Sequence, residues 1–296
     1  MDFTLYWFMF PVSILVATTA MLSGIGGAAL FTPIFLIIFP LLGPEYMLAT
    51  PIAAIGVALL TEVFGFSSGF VGYYRKGLID FGSAVPFIAV GVPVAIFGAL
   101  MLQFMNANIL KGAYGTLMLI LAWVMIRHHE PVEHEIDVLT ADSHNAREPR
   151  SITARDGTVY KYLKPRQGKG AIATGFGAFL TGLLSVGIGE VVMPQLAKRN
   201  RIPVPVAAAT SVFTVIVVIA SASFTQISAL VAAGGVNAVP WNLVAYTVPA
   251  VIIGGQIGPR LQGKVSQYAM ERGIGILFAV IGVAMYYVTY QGLLLH

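Results

Sequence analysis

The sequence predicts an all-α polytopic membrane protein made of two inverted repeats. Each repeat is expected to hold about four membrane-crossing helices, plus broken or re-entrant half-helices at a Gly-rich break. Three observations lead to this fold class: the composition, the long apolar stretches, and motifs that recur in both halves. Of the 296 residues, 57% are hydrophobic and only 10% are charged, whereas soluble domains carry about 25% charged residues. The chain therefore lacks the polar residues that a water-facing surface needs.

Apolar stretches follow one another along the chain, separated by Gly, Pro and charged residues. They cover about residues 5–22, 26–43, 48–73, 82–104, 110–127, 170–186, 188–197, 203–233, 240–260 and 270–293. Several reach the roughly 20 residues that span a bilayer. The first stretch is preceded by Asp2 rather than by the basic residues of a signal peptide, so it is predicted to be a retained membrane segment. The chain has no cysteine, which excludes disulfides and thiolate metal sites.

One long polar segment, residues 128–168, separates a first membrane repeat (1–127) from a second (169–296). Within this segment the Asp-Gly pair of "TARDGTVYKYL" is flanked by β-forming residues, a pattern that predicts a small β-hairpin. The His and Glu residues of "RHHEPVEHEID" are interpreted as part of a solvated loop, and neither a metal site nor another cofactor is predicted.

Pairs of residues repeat between the two halves at a nearly constant separation. The pairs are Pro33 with Pro194, Thr50 with Thr210, Gly112 with Gly273, and Gly115 with Gly275. Five apolar stretches per half is an odd number, so the two halves are predicted to be inverted, as in many secondary transporters. With the central loop in the cytoplasm, every Lys and Arg except Lys111 falls on the cytoplasmic side, which fixes the predicted orientation. Both termini are then expected outside the cell membrane.

Two Gly-rich motifs interrupt the apolar stretches: "SGIGGAALFTP" begins at Ser23, and "SVGIGEVVMP" begins at Ser185. Non-helical backbone inside a bilayer is tolerated only where protein or a wet cavity meets it. Two breaks entering from opposite faces would place two half-helix N-termini near the midplane, and such N-termini favour anions. The alternative is that the small residues only permit close helix packing.

The candidate substrate-binding residues come from these motifs and from the polar residues that follow them. They are Ser23, Gly24, Gly26, Gly27, Thr50, Ser185, Gly187, Gly189, Gln195, Thr210 and Ser211. Thr50 is expected to open one helix, and Thr210 with Ser211 another. A hydroxyl at the start of a helix often only caps it, and that alternative stays open for all three.

Two carboxylates, Glu62 and Glu190, fall within apolar stretches. Charged side chains at membrane depth are costly and usually face a cavity with a function, so both are candidates for proton coupling. The alternatives are a structural hydrogen bond or a membrane-edge position for Glu62, and a carboxylate satisfied by backbone amides for Glu190. Neither residue has an acidic counterpart in the other half.

The motifs of several enzyme classes are absent. No His lies in an apolar stretch, which disfavours an intramembrane serine hydrolase, and the chain has no P-loop. The GxGxxA pattern at Gly24 follows no β-strand and is not interpreted as a dinucleotide site. We predict that the protein is not an enzyme and does not bind nucleic acid.

At these motifs the chain resembles the TauE/SafE family of sulfite exporters. The resemblance rests on "SGIGGAALFTP" with "LATP" in the first half, and on "GAFLTGLLSVGIGEVVMPQL" with "VPVAAATSV" in the second. It implies two helical repeats joined by a cytoplasmic loop, in the bacterial inner membrane, that move small sulfur-containing anions. Glu190 stands where a further glycine is common in the family.

The expected function is therefore a secondary transporter, an exporter of sulfite or an organosulfonate. The anion would lie between the two Gly-rich breaks near the midplane, with a proton coupled through Glu190 or Glu62. The expected partners are this anion and the lipid bilayer, and a homo-oligomer is left open. Two alternatives remain at this point: a passive anion channel, and a membrane scaffold that acts through its central loop.

Overall fold

The computed structural model describes residues 2–23, 26–127, 148–165, 168, 170–261 and 267–294. The helices are α1 Met9–Ser23, α2 Ala28–Pro33, α3 Phe39–Leu42, α4 Pro51–Lys76, α5 Phe81–Met101, α6 Ala107–Arg127, α7 Gly170–Leu184, α8 Ile188–Pro194, α9 Val204–Gly234, α10 Trp241–Leu261 and α11 Gln267–Leu294. Two π-helical segments, Ile34–Ile38 and Gln195–Arg199, continue α2 and α8. The strands are β1 Pro149–Thr153 and β2 Val159–Leu163.

Five helices of the described chain are long and apolar enough to cross a membrane by length and composition. They cover Pro51–Lys76, Phe81–Phe104, Ala107–Arg127, Val204–Gly234 and Arg272–Tyr290. Shorter apolar helices cover Met9–Leu22, Ala28–Leu42 and Gly170–Leu184. The protein is thus a mainly α-helical, multi-pass membrane protein, as the composition predicts. The number of crossing helices in each repeat stays a prediction.

The ends of α4 show how local sequence sets the helix bounds. The Thr50 hydroxyl accepts a hydrogen bond from the Ala53 amide at 3.1 Å, and Pro51 occupies the first helical turn. These are N-terminal signals, since proline needs no amide partner there and a hydroxyl satisfies a free one. At the other end, Gly77 adopts the left-handed conformation (φ 71°) that stops the helix.

The helices of the first half pack mainly on helices of the second. The main contacts join α1 to α10, α5 to α7, α4 to α10, α5 to α9, α4 to α9 and α6 to α11. Glycines bring several of these backbones together. A Cβ on Gly182 of α7 would lie 2.0 Å from the Ala95 carbonyl oxygen of α5, and one on Gly254 of α10 would lie 2.6 Å from the Ile14 carbonyl oxygen of α1. Small residues at such crossings are typical of membrane helices.

The long helices α4 and α9 run antiparallel. Gly56, near the start of α4, lies against Gln226, late in α9. At the opposite end, the amide of Asp80, just after α4, donates to the hydroxyl of Thr210, early in α9, at 3.0 Å. Helices α6 and α11 are antiparallel as well, because Gly115 contacts Gly282 while the more C-terminal part of α6 contacts the start of α11.

The Asp-Gly pair of the polar segment lies between two paired strands. Strands β1 and β2 are antiparallel, with Pro149 opposite Leu163, and Gly157 in the connection has a positive φ of 88°. The hairpin docks at the C-terminal end of α4, where the Arg155 amide donates to the Lys76 carbonyl at 3.0 Å. Residues 128–147, 166 and 167 of the predicted loop lie outside the described residues.

Candidate functional site

Both Gly-rich motifs coincide with interruptions between helices. In the first half α1 ends at Ser23 and α2 begins at Ala28; in the second, α7 ends at Leu184 and α8 begins at Ile188. The second break needs unusual backbone: φ is 62° at Ser185 and 137° at Gly187, values that L side chains rarely adopt.

One carboxylate joins the two breaks. Glu190, in the first turn of α8, accepts a hydrogen bond from the Gly187 amide through Oε2 at 3.0 Å. Through Oε1 it accepts a second bond, at 3.3 Å, from the Gly26 amide in the other half. The first contact is the reach-back of a glutamate to its own helix N-cap. The second extends the same carboxylate to the start of the neighbouring short helix.

A second carboxylate reaches the same place from α4. Glu62 is only 2% exposed. Its carboxylate lies beside the Gly27 and Ala28 amides of the first break, but no donor reaches it with hydrogen-bond geometry. A Cβ built on Gly26 would lie 2.9 Å from Glu62 Oε1 and 3.7 Å from Glu190 Oε1. The structure therefore brings the two predicted proton-coupling residues together beside Gly26. We call Glu62 and Glu190 the acid pair.

Hydroxyl groups surround the acid pair. Thr32 Oγ1 and Ser185 Oγ lie 2.6 Å apart and link the two breaks a second time. The Thr181 hydroxyl accepts the Ile188 amide at 2.7 Å, so it caps α8. The Tyr114 hydroxyl of α6 donates to the Ala29 carbonyl at 2.8 Å.

Sequence reasoning did not single out Thr32, Thr181 or Tyr114. Thr32 and Thr181 stand inside the quoted motifs, so a search of those motifs for hydroxyls would have found them. Tyr114 lies in a distant helix, and nothing in its local sequence distinguishes it.

Glu62 also faces a small pocket with otherwise apolar walls. The lining includes Ala17, Ala20, Met21, Gly27, Phe31 and Phe66. Gly27, another predicted site residue, packs between Ala20 and the Glu62 side chain. Gly189 is buried within the first turn of α8.

Three predicted hydroxyl positions lie away from the acid pair. Thr50 caps α4 at an exposed position, roughly 18 Å along the helix from Glu62. Thr210 bonds the Asp80 amide beyond the other end of α4, and Ser211 is its neighbour. The prediction that Thr210 and Ser211 open a helix is wrong, because α9 already begins at Val204.

Gln195 points towards α7 rather than towards the break. Its side-chain amide donates to the Thr174 hydroxyl at 3.1 Å, and its backbone carbonyl accepts from the Asn200 side chain at 2.8 Å. Of the remaining candidates, Gly24 and the side chain of Ser23 lie outside the described residues.

A second polar cluster, the hairpin cluster, lies where β1 and β2 meet the membrane helices. Asp80 accepts hydrogen bonds from the Tyr162 hydroxyl and from Arg150 Nη1, both at 2.8 Å. It also accepts from the Ser83 amide at 3.0 Å and from the Ser83 hydroxyl. These bonds tie one strand residue from each of β1 and β2 to the N-terminus of α5.

The hydrogen bonds decide the ionisation of this cluster. Burial alone would raise the pKa of Asp80, but the bonds from Ser83 and Tyr162 and the charge of Arg150 outweigh it and hold the pKa below its ordinary value. Burial, together with the hydrogen bond to Asp80, raises the pKa of Tyr162. The cluster is therefore a carboxylate held by neutral and cationic donors.

The described part of the chain contains no group of three or more His, Cys, Asp or Glu side chains placed to hold a metal ion. The chemistry that the acid pair and its surroundings can perform is the binding of a proton or of an anion. The amides of Gly26 and Gly187 supply donors, and Glu62 and Glu190 supply titratable groups.

Comparisons with known proteins agree on one kind of relative. A family model described as sulfite exporter TauE/SafE matches residues 9–285. Among curated proteins, the chain is similar to the probable membrane transporter protein YunE of Bacillus subtilis (strain 168), at 24% identity over 277 residues; the match covers 93% of this chain and 95% of YunE. No solved structure matches significantly.

Proposed function

Because the chain belongs to the TauE/SafE sulfite exporter family, we propose that it is a secondary transporter that exports a small sulfur-containing oxyanion, sulfite or an organosulfonate. The observation that carries the proposal is the meeting of two helix breaks, one from each half, at the Gly26 and Gly187 amides. Broken helices whose N-termini converge on one place are the usual substrate sites of secondary transporters.

The packing supports a duplicated, inverted architecture. Exchanging the halves pairs α1 with α7, α4 with α9, α5 with α10 and α6 with α11. Under this exchange the α1–α10 contact becomes α7–α5, and the α4–α10 contact becomes α9–α5, both of which are present. The pairs α4–α9 and α6–α11 run antiparallel. Each break is also followed by a short helix that ends in proline and then by a π-helical segment.

The substrate is proposed to lie between the breaks. The backbone amides there present positive partial charge, and α2 and α8 continue through their π-helical segments into longer helical runs. The hydroxyls of Thr32 and Ser185, which are bonded to each other, lie between the same two breaks and would have to exchange this bond for one to the substrate. Thr50, Gln195 and Thr210 have structural partners elsewhere, so they are not part of this proposed site.

Proton coupling is proposed to act through the acid pair. Two carboxylates flank one glycine, and neither forms an ion pair within the described part of the chain. Two neighbouring carboxylates, one of them buried, rarely both carry charge, because desolvation and mutual repulsion add. The total charge of the two carboxylates is therefore expected to depend on proton uptake. An anion that passes beside them disfavours their charged forms further, so it favours proton uptake.

The orientation is proposed from the basic residues. Arg75 and Lys76 end α4, and the hairpin with Arg150 and Arg155 docks at that same end. Basic residues concentrate on the cytoplasmic side of membrane proteins. We therefore propose that the central loop, with its hairpin, lies in the cytoplasm of a bacterial cell, with both termini outside.

Sulfite flux in proteoliposomes tests the proposal. Sulfite-loaded vesicles that contain the protein are expected to release sulfite faster than sulfite-loaded vesicles without protein, at a rate that responds to an imposed pH gradient. Gly26→Ala places a Cβ 2.9 Å from Glu62 Oε1 and is expected to lower the flux, whereas Gly112→Ala, with no atom within 4 Å, keeps it. Flux that follows only the anion gradient and voltage would indicate a channel, and no flux would point to a scaffold.

A further inference from the structure

We propose that the Glu190 carboxylate is a tethered competitor of the transported anion: it occupies the amides of Gly26 and Gly187 until a proton releases it. This inference rests on the proposed function and deepens it. The substrate anion and the Glu190 side chain bind the same two backbone amides, and only one of them can do so at a time. Anion binding is thereby coupled to proton binding by direct competition.

The hydrogen bonds of Glu190 carry this inference. Its two oxygens accept from Gly187 at 3.0 Å and from Gly26 at 3.3 Å. The sequence predicts these same two breaks as the place of the substrate anion. Each amide has a single hydrogen to donate, so a substrate oxygen cannot share it with the carboxylate at full strength. The site is already filled by an anion that belongs to the protein.

The chemistry of the two competitors is alike. A carboxylate and a sulfonate or sulfite group both present several oxygens that share negative charge, and both bind most strongly to amides in the ionised form. A protonated carboxyl group is neutral and loses most of its attraction to helix N-termini. Proton uptake by Glu190 therefore weakens the tethered competitor, whereas a sulfonate stays ionised near neutral pH and keeps its attraction to the amides.

Two further observations point to exchange at this place. The Glu190 side chain is partly exposed, so it has room to leave the amides. Glu62, which also lies beside Gly26, is 2% exposed, and no donor reaches its oxygens with hydrogen-bond geometry. An anion entering beside two ionised carboxylates would meet repulsion from both, which a proton on the acid pair reduces.

Few titratable groups face Glu190 from the surrounding elements. Glu62 of α4 and Tyr114 of α6 both interact electrostatically with Glu190. Helices α7 and α9, which pack on α8, contain no titratable residue. The π-helical segment that follows α8 carries Lys198 and Arg199 at its far end. The proton that releases Glu190 is therefore shared within the acid pair.

Binding of methanesulfonate to the purified full-length protein tests the competition, because this monoanion does not titrate near neutral pH. In the wild type, the apparent dissociation constant is expected to rise by up to about tenfold per pH unit as Glu190 ionises. In Glu190→Gln the dependence on pH is expected to be clearly weaker, because the competitor is gone and only Glu62 of the acid pair can still titrate. Glu45→Gln, at an exposed position, keeps the wild-type dependence.

Rescue by a free carboxylate gives a second readout that a general loss of stability does not reproduce. In Glu190→Ala the two amides lose their acceptor, so added formate is expected to raise the thermal unfolding temperature in a saturable way. Formate is expected to leave the wild type unchanged. Val192→Ala, a fully buried position in the same helix, is the matched control, and formate is expected not to stabilise it.

The outcomes separate this inference from the function on which it rests. Methanesulfonate binding or sulfite flux by the wild type, with the same pH dependence in Glu190→Gln and no formate effect on Glu190→Ala, would overturn the competition and leave the transporter standing. No binding and no flux in any variant would overturn the proposed function and this inference with it.

Discussion

Replacing Asp80 with Asn is expected to release the β-hairpin from the membrane helices. Hydrogen bonds to a charged acceptor contribute about 1.5–3 kcal/mol each, and the Tyr162 hydroxyl makes one at 2.8 Å. The bond from Arg150 contributes less, at most about 1 kcal/mol, because that side chain is 33% exposed. The amide of Asn keeps one acceptor oxygen but brings its own N–H groups towards donors. The total loss is about 3 kcal/mol.

Hydrogen exchange of the β1 and β2 amides, followed by mass spectrometry in nanodiscs, measures this loss. A change of about 3 kcal/mol in the opening equilibrium corresponds to roughly 100-fold faster exchange. The control is Glu148→Gln in the same hairpin. Glu148 pairs with Lys164 at 3.0 Å but is 73% exposed, so its loss is expected to leave exchange unchanged. Equal exchange in wild type and Asp80→Asn would refute the reasoning.

The pH dependence of docking follows from the ionisation of Asp80. Its pKa in the folded protein lies below the ordinary value of 3.8, so ionised Asp80 stabilises the docked hairpin above that value. This contribution is lost as the pH falls from the ordinary value through the folded pKa. Protection of the wild-type hairpin, measured against the exchange rate of an unstructured amide at the same pH, is therefore expected to fall in acid. The protection in Asp80→Asn is expected to vary less with pH.

Four further substitutions, one of them a control, test the packing and the site. Gly182→Ala places a Cβ 2.0 Å from a backbone oxygen of α5 and is expected to destabilise the protein by about 1–3 kcal/mol in thermal unfolding. The control is Gly273→Ala, which has no atom within 4 Å and is expected to be neutral or stabilising by up to about 1 kcal/mol. Equal effects of the two substitutions would contradict the close crossing of α5 and α7. Thr32→Val removes the hydroxyl partner of Ser185 and is expected to lower sulfite flux more than stability; unchanged flux would remove these hydroxyls from the site. Glu62→Gln is expected to weaken the response of flux to a pH gradient, and an unaltered response would exclude Glu62 from coupling.

The sequence predicts the helices and their breaks well because both depend on local chemistry. Apolar length sets the spans, and glycines followed by proline set the interruptions. Pro33 and Pro194 stand immediately before the two π-helical segments. Proline lacks an amide hydrogen and crowds the preceding turn, and π-helical turns accommodate such irregularities in a helix.

The composition of the site is harder to predict, because its contacts join distant parts of the chain. Nothing in the sequence near Glu62 indicates that it meets Gly26 and Glu190. The error at Thr210 has a different cause. Matching it to Thr50 assumed that equivalent helices begin at equivalent residues, but the prolines at 203 and 205 start α9 more than one turn earlier. Proline is well suited to the first turn of a helix.

The acid pair also constrains what drives transport. If one proton accompanies each monoanion through the site, the proton and the anion together carry no net charge, and the membrane potential does no work on their transfer. An uncoupled monoanion would instead gain about 2.3 kcal/mol per 100 mV on leaving a negative interior. Under the proposed competition, Glu190 would exchange voltage-driven export for a dependence on the pH gradient and on the anion gradient. A dianion with one proton retains one charge and so keeps part of the voltage drive, which favours its export over that of a monoanion.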